Sequence, residues 1–167
     1  LKNLVIRINS IGDKNCWNKY RDEIKMYYRS KVNRLCKNCK KRFKENPLRL
    51  LDCKEAECVA LKVSAPNSVD YLDKACHDHF KLVLEFLDEL SLPYILDPYL
   101  VRGLDYYTRT VFEVIPEDAS GSQITLASGG RYDYLVDQLG GKQTPAMGGS
   151  IGIERVVNEM RRQELKV

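Results

Sequence analysis

The spacing of hydrophobic positions changes several times along the chain. Leu4, Val5, Ile6 and Ile8 make a short β-branched run closed by Asn9, Ser10 and Gly12, the pattern of a strand and turn. From Asp13 onward, Trp17, Tyr20, Ile24, Tyr27, Tyr28, Val32 and Leu35 recur at intervals of three, four and seven, which predicts an amphipathic helix. Asn46-Pro47 should break it, because the residue before proline is pushed out of the α region, and 45–67 is expected to be loops and short turns. Ser68 is placed to cap a second helix carrying Leu72, Cys76, Phe80, Val83, Leu84, Leu87 and Leu90 and ended by Pro93.

Beyond Pro93 the pieces shorten to strand-like runs at 94–96, 99–102, 110–115, 123–128 and 147–153, with a turn over 116–122 and helices over about 131–139 and from Glu154 onward. Turns between successive strands favour an antiparallel sheet over βαβ repeats. The expected fold class is α+β, an antiparallel sheet interrupted by an α-helical insertion. The expected divisions are a strand and turn over 1–12, a helical insert over 13–92 and a sheet-rich part over 93–167. The two ends of such an insert must lie close enough to rejoin one sheet.

Composition narrows the class. With 167 residues, 44% hydrophobic and 30% charged, the chain suits one domain or a domain and a half with a real core, and collagen-like, low-complexity and wholly disordered readings fail. No apolar run approaches the roughly 20 residues that span a bilayer, and LKNLVIRINS lacks the layout of a secretory signal, so a cytoplasmic protein is expected. Charge is unevenly spread. Residues 13–62 hold 15 Lys+Arg against 7 Asp+Glu, a net +8, while the remaining residues net −4. Such a block fits either a polyanion partner, through phosphate contacts and counterion release, or a solvated helix face.

Cys36-x2-Cys39 and Cys53-x4-Cys58 have an order and spacing that could wrap one tetrahedral zinc ion. The adjacent Lys37, Lys40, Lys41 and Arg42 would be expected to lower thiol pKa values and favour metal binding. Buried free cysteines acting as small hydrophobes are the alternative. His77 and His79 lie two apart on a helix and so face different directions, which reads as surface or satisfied helix histidines and not as a catalytic pair.

Three stretches carry chemistry. Residues 100–113, LVRGLDYYTRTVFE, place Arg102, Asp105, Tyr106, Tyr107 and Arg109 within eight positions, a density that packing does not require. Arginine offers a planar fork suited to phosphate and tyrosine a rigid ring with one polar tip. Ion pairs Arg102–Asp105 and Arg109–Glu113 at a sheet edge are the alternative. Residues 127–134, ASGGRYDY, contain a Gly-Gly turn that lets backbone approach a ligand. Residues 147–155, MGGSIGIER, alternate small residues along a strand and end with Arg155 at a strand–helix junction, placed to meet a phosphate tail.

Together these stretches resemble the histidyl-tRNA synthetase family of class II aminoacyl-tRNA synthetases. LVRGLDYYTRTVFE is similar to that family's first histidine-specific signature, ASGGRYDYL to its second, and GGSIGIER to class II motif 3. NSIG at 9–12, NPLRLLDCK at 46–54 and APNSVDYLD at 65–73 extend the resemblance along essentially the whole chain. The resemblance implies a partial class II catalytic sheet with a helical insertion over 13–92 that reaches the tRNA acceptor stem. It makes Arg102 the catalytic arginine that contacts the substrate carboxylate and the α-phosphate of ATP. Tyr106, Tyr107 and Tyr132 become histidine-pocket residues, and Arg155 the holder of the γ-phosphate. It further implies histidine, ATP with Mg²⁺ and histidine tRNA as substrates, and a homodimeric parent. No stretch matches motif 1, motif 2 or an anticodon-binding domain, so a fragment, inactive on its own, is expected. A non-catalytic regulatory paralogue and a stand-alone RNA-binding module over 13–92 are the competing readings.

Overall fold

The computed structural model describes residues 1–103, 106–118 and 125–166. Five strands form one sheet in the order β2-β1-β3-β4-β5. They are β1 (Leu4–Ser10), β2 (Tyr94–Leu96), β3 (Thr108–Pro116), β4 (Ala127–Arg131) and β5 (Met147–Ile151). β3 pairs antiparallel with both β1 and β4, and β4 with β5. β1 and β2 run parallel, with Ile6 opposite Tyr94, so the sheet is mixed where an antiparallel one was expected. The reason is topological: parallel neighbours need a long crossover, and everything between 11 and 93 serves as that crossover.

The crossover is helical. In α1 (Lys14–Arg29), Asp13 accepts from the amides of Asn15 and Cys16 at the N-terminus, and Cys16, Tyr20, Ile24 and Tyr28 bury one stripe. Its apolar period runs past its end. The amide of Lys31 bonds back to Tyr28, and Val32 enters a separate 3₁₀ turn, Val32–Arg34. α2 (Lys37–Glu45) stops before Pro47 as expected. The stretch expected to be loops instead contains a 3₁₀ turn, Pro47–Leu50, and α3 (Ala56–Lys62). Tyr20, Ile24, Tyr28, Leu48, Leu50 and Leu51 close a core between these pieces. The hydroxyls of Tyr20 and Tyr27 donate to the carbonyls of Pro66 and Leu61 at 2.9 and 2.7 Å.

The second long helix, α4 (Lys74–Glu89), is capped by Asp73, whose carboxylate accepts from the Cys76 amide at 2.8 Å. Ser68, the expected cap, lies in a 3₁₀ turn and donates its hydroxyl to the Asn9 side chain at 2.9 Å. Leu72 consequently precedes the helix. The expected strand at 99–102 is not formed, because Asp97 turns the chain by accepting from the amides of Tyr99 and Leu100. α5 (Leu135–Gln138) is one turn, shorter than the helix expected over 131–139, since β4 extends to Arg131. α6 (Ile153–Arg162) follows β5 directly. The described part of the strand expected at 123–128 begins at Ala127.

Candidate active site

Strand register determines the site. Arg7 on β1, Glu113 on β3, Ser128 on β4 and Ser150 on β5 are successive cross-strand partners, so their side chains share one face. Two residues along, Gly130 and Gly148 occupy the same face of β4 and β5, because alternate residues of a strand point the same way. On β4 and β5 the polar row therefore borders two glycines, which carry no side chains.

Arg102 lies over the polar row. It donates to the Glu113 carboxylate at 3.0 Å and to the Ser128 hydroxyl at 2.8 Å. Arg7 holds the other side of Glu113 at 3.9 Å while pairing with Asp97. The alternative pairing Arg109–Glu113 is not made, because Glu113 is engaged by Arg102 and Arg7; Asp105, the acid of the other alternative pair, lies outside the described residues. A guanidinium has five donors. Two are used among the described residues, and the Nε–H of Arg102 is buried without an acceptor among them, so the group is fixed in direction.

The glycine row is filled by rings. A Cβ on Gly130 would stand 2.5 Å from the Thr110 carbonyl and 3.0 Å from the Tyr107 ring, and one on Gly148 would collide with the Tyr132 hydroxyl. Tyr106, Tyr107 and Tyr132 form one cluster, with ring centroids 4.7 Å apart for Tyr106–Tyr107, 5.6 Å for Tyr106–Tyr132 and 6.0 Å for Tyr107–Tyr132. The Arg102 guanidinium lies 5.6 Å from the centre of the Tyr107 ring. A hydrogen bond with Tyr107, followed by burial, raises the Tyr106 phenol above its ordinary range, which keeps it a neutral donor. A cleft of about 530 Å³ opens beside Tyr107, between Asp13, Asn15 and Trp17 of the insert and Tyr134 and Gln143.

β3 is irregular where it enters this site. Its register with β4 shifts between Thr108 and Val111, and Arg109 inside the shift has φ 52°. A left-handed non-glycine residue in a bulge is a local cost tolerated where it re-aims neighbours. Here the bulge separates Tyr107 from the regular pairing that carries Glu113. The amide of Arg109 donates to the Gly12 carbonyl at 2.7 Å, and its own carbonyl accepts from Ile11 at 2.8 Å.

Arg155 stands apart from this cluster. It occupies the first turn of α6, exposed, and donates to the Thr125 carbonyl at 2.8 Å. The structure thus brings Arg102, Tyr106, Tyr107 and Tyr132 together and sets Arg155 at the end of β5. His77 is exposed beside Asp78. His79 is half-buried, and burial, then Arg109 and Arg131, push its pKa down.

The family model described as histidyl-tRNA synthetase matches residues 18–156. The chain belongs to the histidyl-tRNA synthetase family. The histidine–tRNA ligase of Clostridium novyi is 44% identical over 167 residues, which is 100% of this chain and 39% of the relative. That of Dehalococcoides mccartyi is 48% identical over 163 residues, covering 98% and 39%. Apo Staphylococcus aureus histidyl-tRNA synthetase matches in structure with a TM-score of 0.72 at 31% identity, over 100% of this chain and 40% of that one. The chain thus spans about two-fifths of the length of these histidyl-tRNA synthetases. Among the described residues no helix is long and apolar enough to cross a membrane.

Sequence reasoning missed the residues that hold Arg102. Glu113 was legible only as an alternative partner for Arg109 and Ser128 only as part of the ASGGRYDY stretch, and their convergence on Arg102 depends on β3–β4 register. Asn9 was read as a turn residue. It is 1% exposed, accepts from Ser68 and donates to the Leu100 carbonyl at 2.9 Å, tying the insert to the segment that carries Arg102.

The four candidate metal ligands also converge. The sulfurs of Cys36, Cys39, Cys53 and Cys58 lie within 4.8 Å of one another. The lysines expected to lower the thiol pKa values are not what sets them. The Cys39 amide, hydrogen-bonded to its sulfur, lowers Cys36, whereas burial raises Cys39 and Cys58.

Proposed function

We propose that this chain forms part of the active site of a histidine–tRNA ligase, and that the observation carrying this reading is Arg102, held by Glu113 and Ser128 beside three clustered tyrosines. A histidine carboxylate oxygen attacks the α-phosphorus of ATP, the bond to the leaving pyrophosphate breaks, and histidyl-adenylate forms. Arg102 supplies a fixed positive charge to the carboxylate and to the phosphoryl oxygens as negative charge accumulates on them. Because Glu113 and Ser128 already orient the guanidinium, little reorganisation is required when that charge develops.

Tyr106, Tyr107 and Tyr132 line the histidine pocket, where phenol tips distinguish an imidazole from an apolar ring of similar size by leaving polar groups unpaired around the wrong substrate. Arg155, exposed at the end of β5, takes the γ-phosphate. Mg²⁺ accompanies ATP and neutralises phosphate charge. In the second step the terminal ribose hydroxyl of histidine tRNA attacks the adenylate carbonyl and AMP departs. Residues 13–92 act as the tRNA-facing insertion, with 1–12 and 93–167 belonging to the catalytic core of a cytoplasmic, homodimeric parent. The four thiols of the insert take no part in this chemistry, and a zinc ion held by them would be structural.

Retention of Arg102, the tyrosine cluster and Arg155 favours the ligase over a non-catalytic paralogue. Pyrophosphate–ATP exchange tests the reading. A protein of full family length carrying this sequence should exchange only when histidine is supplied, and the 167-residue chain alone should be silent. Exchange driven equally by other amino acids, or none from the full-length protein, would refute the assignment.

A further inference from the structure

Four cysteine sulfurs converge inside the insert from three separate pieces of chain. Cys36 caps α2, Cys39 lies in its first turn, Cys53 follows the Pro47–Leu50 turn and Cys58 lies in α3. All four sulfurs lie within 4.8 Å of one another, and those of Cys36 and Cys53 are 3.9 Å apart. Four sulfurs at about 2.3 Å from a tetrahedral centre sit about 3.8 Å from each other, so the spacing is that of a metal cage. Disulfides would satisfy two pairs and give no reason for all four to meet.

The backbone around the sulfurs points the same way. The amide of Cys39 donates to the Cys36 sulfur and the amide of Cys36 to the Cys58 sulfur, both at 3.4 Å. A neutral thiol is a weak acceptor, and serine or aspartate is the usual residue at a helix N-cap. Amides aimed at sulfur suit thiolates bound to a cation, where such bonds orient the ligands. Cys39, Cys53 and Cys58 are buried and Cys36 half-buried, and four protein ligands leave no position for substrate, as in structural rather than catalytic zinc sites.

We propose that Cys36, Cys39, Cys53 and Cys58 bind one structural Zn²⁺ that staples α2, the segment after Leu50 and α3 into a single unit. These elements need a staple. α2 has nine residues and α3 seven, well below the roughly 12–15 at which an isolated helix becomes even marginally stable. The site is independent of histidine activation, since none of its ligands belongs to the Arg102 cluster.

A second group, Asp13, Cys16, Asp73 and Cys76, also lies within 4.8 Å, but both carboxylates serve as N-caps, Asp13 for α1 and Asp73 for α4. It is an internal control. The 167-residue chain purified without added metal and passed through metal-free buffer should retain about one zinc per chain by elemental analysis. Cys36→Ser with Cys53→Ser should reduce this at least fivefold, whereas Cys16→Ser with Cys76→Ser should leave it unchanged. Should the first variant misfold, cobalt added to the metal-stripped parent chain should give the visible bands and sulfur charge-transfer absorption of tetrahedral thiolate cobalt at one equivalent. Absence of retained zinc together with a cobalt spectrum lacking sulfur character overturns the proposal, as does zinc lost only from the Cys16/Cys76 variant.

Discussion

Arg102 takes its direction from partners on two different strands, Glu113 of β3 and Ser128 of β4, which separates its charge from its aim. Arg102→Ala in a full-length protein removes both, and adenylation kcat should fall by about two or more orders of magnitude with a smaller change in KM, the signature of an interaction made mainly in the transition state. A variant that only raised KM would contradict that role. Glu113→Gln keeps the shape of the partner and removes its charge. It should cost less than Arg102→Ala and move kcat in the same direction. Gly148→Ala probes the tyrosines instead. Its Cβ meets the Tyr132 hydroxyl, so the ring must move, and histidine kcat/KM in the exchange assay should drop about tenfold or more. Of these residues, Arg102, Tyr106 and Tyr107 stood out in sequence as chemistry that packing does not demand, and Tyr132 entered only through the family resemblance. Neither Glu113 nor Ser128 was legible as a partner of Arg102, because an acid or serine in a strand acquires its partner from the register that sets it opposite another residue.

At the scale of elements, α6 is tied down by charge. Arg162 binds the buried Glu159 at 2.6 Å and the Asp118 carboxylate at 2.8 and 2.9 Å, and Gln163 bonds both Glu159 and the Lys2 carbonyl. Hydrogen bonds from Arg162 hold the carboxyls of Asp118 and Glu159 below their ordinary range. Groups with depressed folded-state pKa values stabilise at pH above their unfolded values and lose that contribution as pH falls through the folded ones. The protection of α6 amides, measured against the intrinsic rate at the same pH, should therefore fall below about pH 4, while that of the turns of α1 beyond its Asp13 cap, whose buried stripe holds no carboxylate, should not. Arg162→Gln should flatten the difference; equal acid sensitivity in α1 and α6 would refute it. His79 gives a second window. Burial and the nearby Arg109 and Arg131 disfavour its cation, so folding stability should decline as pH drops below about 6.5, the unfolded value, and His79→Gln should remove that slope in denaturant titrations at pH 7 and pH 5.

Element boundaries show where periodicity stops informing. The apolar stripe of α1 was legible, but its continuation to Leu35 was not α-helical: the helix ends at Arg29, the 3₁₀ turn Val32–Arg34 buries nothing, and Leu35 reaches the core from the extended residue that follows that turn. Asp73 and Ser68 are both good caps by residue type. Ser68 is drawn off by the buried Asn9, a partner 59 residues away that no local pattern reveals. The parallel pairing of β1 with β2 is invisible for the same reason, as it depends on where the crossover returns.

Over the whole molecule, the net +8 of residues 13–62 acquires a shape. Lys37, Lys40, Lys41 and Lys44 are exposed on α2, while Arg42 turns inward to donate to the Arg49 carbonyl at 3.2 Å. A solvated face and a phosphate-binding face differ in salt response. If these lysines contact tRNA, each phosphate neutralised contributes about 0.7–0.9 to the slope of log affinity against log salt. Replacing all four by glutamine in a full-length protein should lower that slope by up to about 3, weaken tRNA binding most at low salt and slow aminoacylation. Histidine-dependent pyrophosphate exchange should persist, because none of the four lies in the Arg102 cluster. An unchanged slope would return α2 to the role of a solvated face. Loss of exchange along with tRNA binding would mean instead that the insert supports the catalytic sheet, through contacts such as Ser68 to Asn9 and the Asn9 bond to the Leu100 carbonyl, and that its positive charge is incidental to that support.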